Sequence, residues 1–161
     1  MILKGSAANI TSTASNFGRA TRIRVSATNA GTVTVAAAVG TFNAQSAVDG
    51  TAITISNHGF VTGDEIVYSD GGGTAITELA DGGKYFVTKV DGNTVNLSTL
   101  LEGTAISLTD GSSENHTITA TRTYAGTVVL ASNQVVMIDK KPGDTIAASA
   151  TMTGTAIGNQ P

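Results

Sequence analysis

The sequence predicts an all-β protein: a sandwich- or barrel-like base domain built from both chain ends, with a second small β-module inserted in it. Three observations predict this. Apolar residues alternate with Thr, Ser or Asn over short runs, the period of a half-buried strand. Those runs are separated by turn signals such as Asn-Ala-Gly, Asp-Gly, Ser-Asn and Pro-Gly. No segment carries an apolar stripe at helical spacing over three turns. The composition agrees. With 40% hydrophobic and 13% charged residues, the 161-residue chain is too apolar to stay disordered.

The elements follow in order. Residues 1–18, MILKGSAANITSTASNFG, are small and polar and read as an arm or an irregular first strand. RATRIRVSATNAGTVTVAAAV then holds two alternating runs around Ile23 and Val25, and around Val33 and Val35. Asn29 to Gly31 is the expected turn of a hairpin between them. In the middle, TAITIS (Thr51 to Ser56) and DEIVYS (Asp64 to Ser69) are expected strands. GGGTAITEL (Gly71 to Leu79) begins another after a flexible glycine run. The clearest hairpin is KYFVTKVDGNTVNLST, where Asp91-Gly92 is expected to supply the positive φ of a tight turn. TAISLTD and HTITATR add two candidates. GTVVLAS and QVVMIDKK read as a last hairpin about Ser132-Asn133, and Pro142-Gly143 turns the chain into DTIAASATMTGTAIG. The tetrad Gly-Thr-Ala-Ile recurs from Gly50, Gly73, Gly103 and Gly154 without a fixed period. That excludes a solenoid and suggests a recurrent strand start.

Charge divides the chain. Residues 41–120 carry ten acids and two bases, a net −8, and the two flanks together carry +5. Charge and pattern predict a discontinuous basic β base domain, 1–40 plus 121–161, and an acidic inserted β-module, 41–120.

Little in the sequence points to chemistry. His58, Asp64 and Glu65 draw attention, but His58-Gly59 and Gly63-Asp64 are turn grammar. Consecutive carboxylates on a strand point to opposite faces. Two histidines and no cysteine do not supply a typical three-ligand zinc site or a disulfide. There is no Gly-x-Ser-x-Gly, phosphate loop or EF-hand loop. We therefore expect no catalytic residues, no metal, no cofactor and no enzymatic activity. Arg19, Arg22, Arg24, Arg122, Lys140 and Lys141 are the candidate residues for docking on a protein partner. Without interleaved aromatics they do not suggest nucleic acid. Phe60, Tyr68, Tyr85 and Phe86 are candidate ligand residues of the inserted module, as a stacking platform, or else the filling of its small core. No stretch reaches the ~20 apolar residues of a membrane helix.

The early ATRIRVSATNAGTVTVA and late GTVVLASNQVVMIDKKPGDTIAA together resemble small all-β head-associated proteins of tailed bacteriophages. The middle, HGFVTGDEIVYSDGGGTAITELADGGKYFVTKVDGNTVNLST, is similar to a β-module of phage and bacterial surface proteins. The likeness covers about 110 residues, and no catalytic residue comes with it. It implies a capsid decoration or cement protein, with the major capsid protein and further copies of itself as partners, most often as a trimer. Its place would be the outer surface of the head, after synthesis in the host cytoplasm. The short apolar run of MILKGSAANI, unlike a signal peptide, fits that expectation. Alternatives are a tail fibre or adhesin component that binds a host glycan, and a tail or neck connector.

Overall fold

The computed structural model describes residues 2–3 and 7–158, so Lys4 of the basic flank lies outside the described residues. Every regular element in them is a strand: β1 (Ile2–Leu3), β2 (Ala8–Ile10), β3 (Arg22–Ser26), β4 (Gly31–Ala36), β5 (Val39–Asn43), β6 (Val48–Asp49), β7 (Ala52–Thr54), β8 (Glu65–Ser69), β9 (Lys84–Lys89), β10 (Thr94–Ser98), β11 (Asn115–Ala120), β12 (Gly126–Leu130), β13 (Val135–Asp139), β14 (Thr145–Ala148) and β15 (Met152–Gly158). The fold is all-β, and all the strand pairs are antiparallel. The chain forms two compact units, Met1–Ala37 with Arg122–Pro161, and Ala38–Thr121.

The first unit, called the base unit below, holds two sheets. One has the order β1-β15-β3-β13 with β2 also on β15, and the other is β12-β4-β14. Ile23 and Val25 of the first sheet and Val33, Ile146 and Ala148 of the second are buried in one shared core. This is sandwich logic: alternate residues of both sheets point into the same apolar layer.

The links expected to be hairpins are arches instead. β3 pairs with β13 and β15, never with β4, and β12 pairs with β4 rather than β13. Each four-residue link, 27–30 and 131–134, carries the chain from one sheet to the other. Period-two alternation cannot separate these cases, because both strands of a hairpin and both strands of an arch present one apolar face. Burial decides: Ala27, 1% exposed, sits inside the corner. The two corners also bond each other. Ala27 N donates to Gln134 O at 2.9 Å, Asn133 N to Ala27 O at 2.8 Å, and Ser132 Oγ to Thr28 O at 2.7 Å. The β3–β13 ladder thus extends past the strand ends.

The N-terminal segment seals one side of this unit. β2 pairs with β15, and Ser15 exchanges bonds with Ile146 on β14 at 3.1 and 2.8 Å. Gly154 makes room for it: a Cβ there would come within 2.7 Å of both Ile10 and Phe17.

The second unit is one seven-stranded sheet, β5-β11-β8-β9-β10-β7-β6. The expected β9–β10 hairpin is present, but its turn differs. The link 90–93 has four residues, and Gly92 is not left-handed. The Asp91 carboxylate instead accepts the Asn93 N–H at 2.7 Å, an Asx-type turn. Gly71 to Leu79 and Thr104 to Asp110 form no strand, contrary to expectation. Ile76, Leu79 and Leu108 are nonetheless buried, so these connections contribute apolar side chains without a ladder. The four Gly-Thr-Ala-Ile tetrads share no structural role: one leads into β7, two lie in connections and one lies within β15.

Candidate functional site: an open strand edge

The residues that first suggest chemistry are turn caps. His58 is 4% exposed; its Nδ1 accepts the Phe60 N–H at 3.0 Å, which leaves Nε2–H to donate to Asp91 O at 3.1 Å. Asn57 and Gly59 on either side are left-handed, with φ of 51° and 70°. The buried Asp64 closes the next turn: its carboxylate accepts from Val61 N at 3.1 Å. Glu65 faces the other way, to Lys84 Nζ at 3.0 Å and the Thr121 hydroxyl at 3.0 Å, and these contacts hold its carboxyl below the usual range. Among the described residues no group of three or more His, Asp or Glu stands close enough to hold a metal.

Of the two readings of the aromatics, core filling describes three of the four. Phe60 and Tyr68 are fully buried and Tyr85 is 7% exposed; only Phe86 is half-buried. The reason is strand alternation, which turns Tyr85 inward and the adjacent Phe86 outward. Tyr68 anchors a polar chain within the core. Its hydroxyl accepts the Ile76 N–H at 3.0 Å and bonds His116 Nδ1 at 2.7 Å. With the Ile76 N–H donating to it, the hydroxyl is free to turn its own proton to Nδ1, the arrangement that uses all three groups. The buried Nε2 of His116 has no partner among the described residues. Sequence reading saw His116 only as a strand residue and missed the pairing, because Tyr68 is 48 positions away.

The basic candidates also divide. Arg22 forms a fork-like pair with Asp139, its register partner across β3 and β13, at 2.5 and 2.8 Å. Arg19, Arg24 and Lys141 are partly exposed. Arg122 and Lys140 are not surface groups: the Arg122 side chain is 3% exposed and Lys140 is 4% exposed. They belong to a buried cluster around Asp144, which is fully buried. Asp144 accepts from Arg122 Nε at 3.1 Å, Tyr124 Oη at 2.5 Å and Lys141 N at 3.0 Å. Lys140 Nζ donates to the Asp144 and Lys141 carbonyls at 2.8 and 3.2 Å. Burial lowers the Lys140 ammonium to about 8 against the opposing pull of Asp144. Burial and the neighbouring Asp144 raise the Tyr124 hydroxyl to about 12. Two of the six candidates, Arg122 and Lys140, thus hold the Lys-Lys-Pro-Gly-Asp turn, and Arg19, Arg22, Arg24 and Lys141 keep some exposure.

The surface of the base unit also carries an apolar strip. β12 pairs only with β4 and β13 only with β3, so each ends its sheet. They are consecutive in the chain, and between Thr123 and Ile138 there is no charged residue. Val129 is 75% exposed, and Val128, Val135 and Met137 are each nearly half exposed. Val128 stands opposite the buried Val33, on the core-facing side of its sheet. Its exposure means the core is uncovered along this edge. Natural sheets usually blunt such edges with charges, proline or a covering segment. Here the opposite side has the covering segment, and among the described residues none covers this side, which carries no proline or charge from Thr123 to Ile138. The uncharged run from Thr123 was the sequence signal for it, but only the strand order shows that both strands are edges. The chain matches no family model, no curated protein and no solved structure.

Proposed function

We propose that this protein is a non-enzymatic structural component of a phage virion that works by protein–protein association through its base unit. The most concrete form is a head decoration protein that binds the assembled capsid shell. The single observation that carries the association reading is the open double edge at β12 and β13, uncharged from Thr123 to Ile138. An edge of that kind recruits another protein chain by continuing its hydrogen-bond ladder while apolar side chains are covered. The virion assignment rests on the resemblance of the flanks and of the middle module to phage proteins. A ligand that binds only the assembled shell stabilises it by mass action.

The test adds the purified chain to capsids assembled without it. Saturable binding and a raised capsid disassembly temperature are expected. Unchanged disassembly at saturating protein overturns the decoration role. Copy number separates the remaining virion roles: hundreds of copies per particle mean decoration, a few dozen or fewer mean tail or fibre. The glycan-binding alternative loses most of its proposed platform, since Phe60, Tyr68 and Tyr85 are buried.

A further inference from the structure

We infer that the occupant of the β12/β13 edge is a second copy of this chain, paired about a two-fold axis so that both sheets of the base unit continue across the interface. This rests on the reading of that edge as the association surface. Three observations select the partner.

The first is the form of the edge. β12 ends one sheet and β13 ends the other, and the two are consecutive strands. A single extended peptide fills one ladder and leaves the second open. A partner must bring two unpaired strands, one for each layer, and the same edge of another copy does so. A two-fold axis normal to the sheets sets β12 against β12 of the partner and β13 against β13, both antiparallel. The half-exposed Val128 residues of the two copies then close the open end of each core.

The second is charge. Self-pairing sets the edge against a copy of itself, with residues at the axis facing their own kind, so an edge of one charge sign would repel itself. From Thr123 to Ile138 there is nothing to repel. The nearest charges are Arg24, one strand in from the edge opposite Met137, and Asp139 at the end of β13, which is paired with Arg22.

The third is closure. The opposite side is occupied by the N-terminal segment, through β2 on β15 and Ser15 on β14. An edge that meets the same edge of a second copy closes at two chains; head-to-tail rings and filaments need two different surfaces. The edge therefore favours a pair over the three-fold ring that the resemblance implies.

The experiment uses the full-length chain, with light scattering coupled to size exclusion over a range of concentrations. The expected mass is two chains. Val129→Lys should reduce it to one chain with an unchanged circular dichroism spectrum, since Val129 is exposed and leaves the core intact. The chain has no cysteine, so single Thr127→Cys, Val128→Cys and Val129→Cys variants report register directly. Near a two-fold axis at least one of them should link to its own copy under mild oxidation. A one-chain mass at all concentrations, a three-chain mass, or a two-chain mass that survives Val129→Lys overturns the inference. Capsid binding by a one-chain protein that is lost on Val129→Lys would overturn self-pairing and keep the edge as a docking surface. A pair that ignores capsids would keep self-pairing and overturn the virion reading.

Discussion

Replacing Tyr68 with Phe removes one oxygen from the centre of the second unit and tests the polar chain found there. That oxygen accepts the Ile76 N–H at 3.0 Å and bonds His116 Nδ1 at 2.7 Å. Tyr68 and His116 are fully buried and Ile76 is 1% exposed, so water does not replace the lost partner. Each buried group left unsatisfied costs about 1–3 kcal/mol, so two of them predict a loss of about 2–6 kcal/mol. The small space left by the oxygen adds little by comparison. The assay is denaturant unfolding followed by far-ultraviolet circular dichroism, together with amide hydrogen exchange at Ile76. Wild type should protect that amide strongly, and Tyr68→Phe should release it selectively. Tyr85→Phe is the control: its hydroxyl accepts only the part-buried Ala80 N–H, so a smaller loss is expected. A loss below about 1 kcal/mol with Ile76 still protected would refute the argument that this hydroxyl satisfies two buried groups.

Two further predictions concern the base unit. Asp144→Asn leaves Arg122 buried opposite a neutral group and weakens the bonds from Tyr124 and Lys141, so a destabilisation of about 3–5 kcal/mol is expected in thermal or denaturant unfolding. An unchanged midpoint would mean that the cluster contributes no stability. Lys140 gives a pH dependence. Its pKa is about 8 when folded against an ordinary 10.5, so between these values the unfolded chain holds more protons and stability rises with pH. The rise is on the order of 3 kcal/mol at most. Tyr124 acts in the opposite sense: at about 12 when folded against 10, it makes stability fall as pH passes 10. The melting temperature should therefore climb from about pH 8 and turn over above about pH 10, and Lys140→Met should remove the climb while leaving the fall.

The edge and the charge cluster show why function was only partly legible. The exposed strip lies in a plainly uncharged run, yet alternation in GTVVL and QVVMI looks the same for an inner strand as for an edge. Arg122, Lys140 and Asp144 look like surface charges one by one, because their mutual burial depends on contacts 22 positions apart and on the turn at Pro142-Gly143. His58 and Asp64 were legible as turn residues, since the glycines beside them mark left-handed positions locally.

By itself the sequence determined the strand class, most strand positions and the absence of a helical pattern, because those depend on side-chain period and local turn chemistry. Only the tertiary structure decided which strands pair, that β3–β4 and β12–β13 are arches, and that Tyr68 meets His116. Pairing is set by burial and hydrogen bonding between residues far apart in the chain, and a short alternating run fits either neighbour. The same long-range choice covers one side of the base unit with its own N-terminal segment and leaves β12 and β13 open on the other.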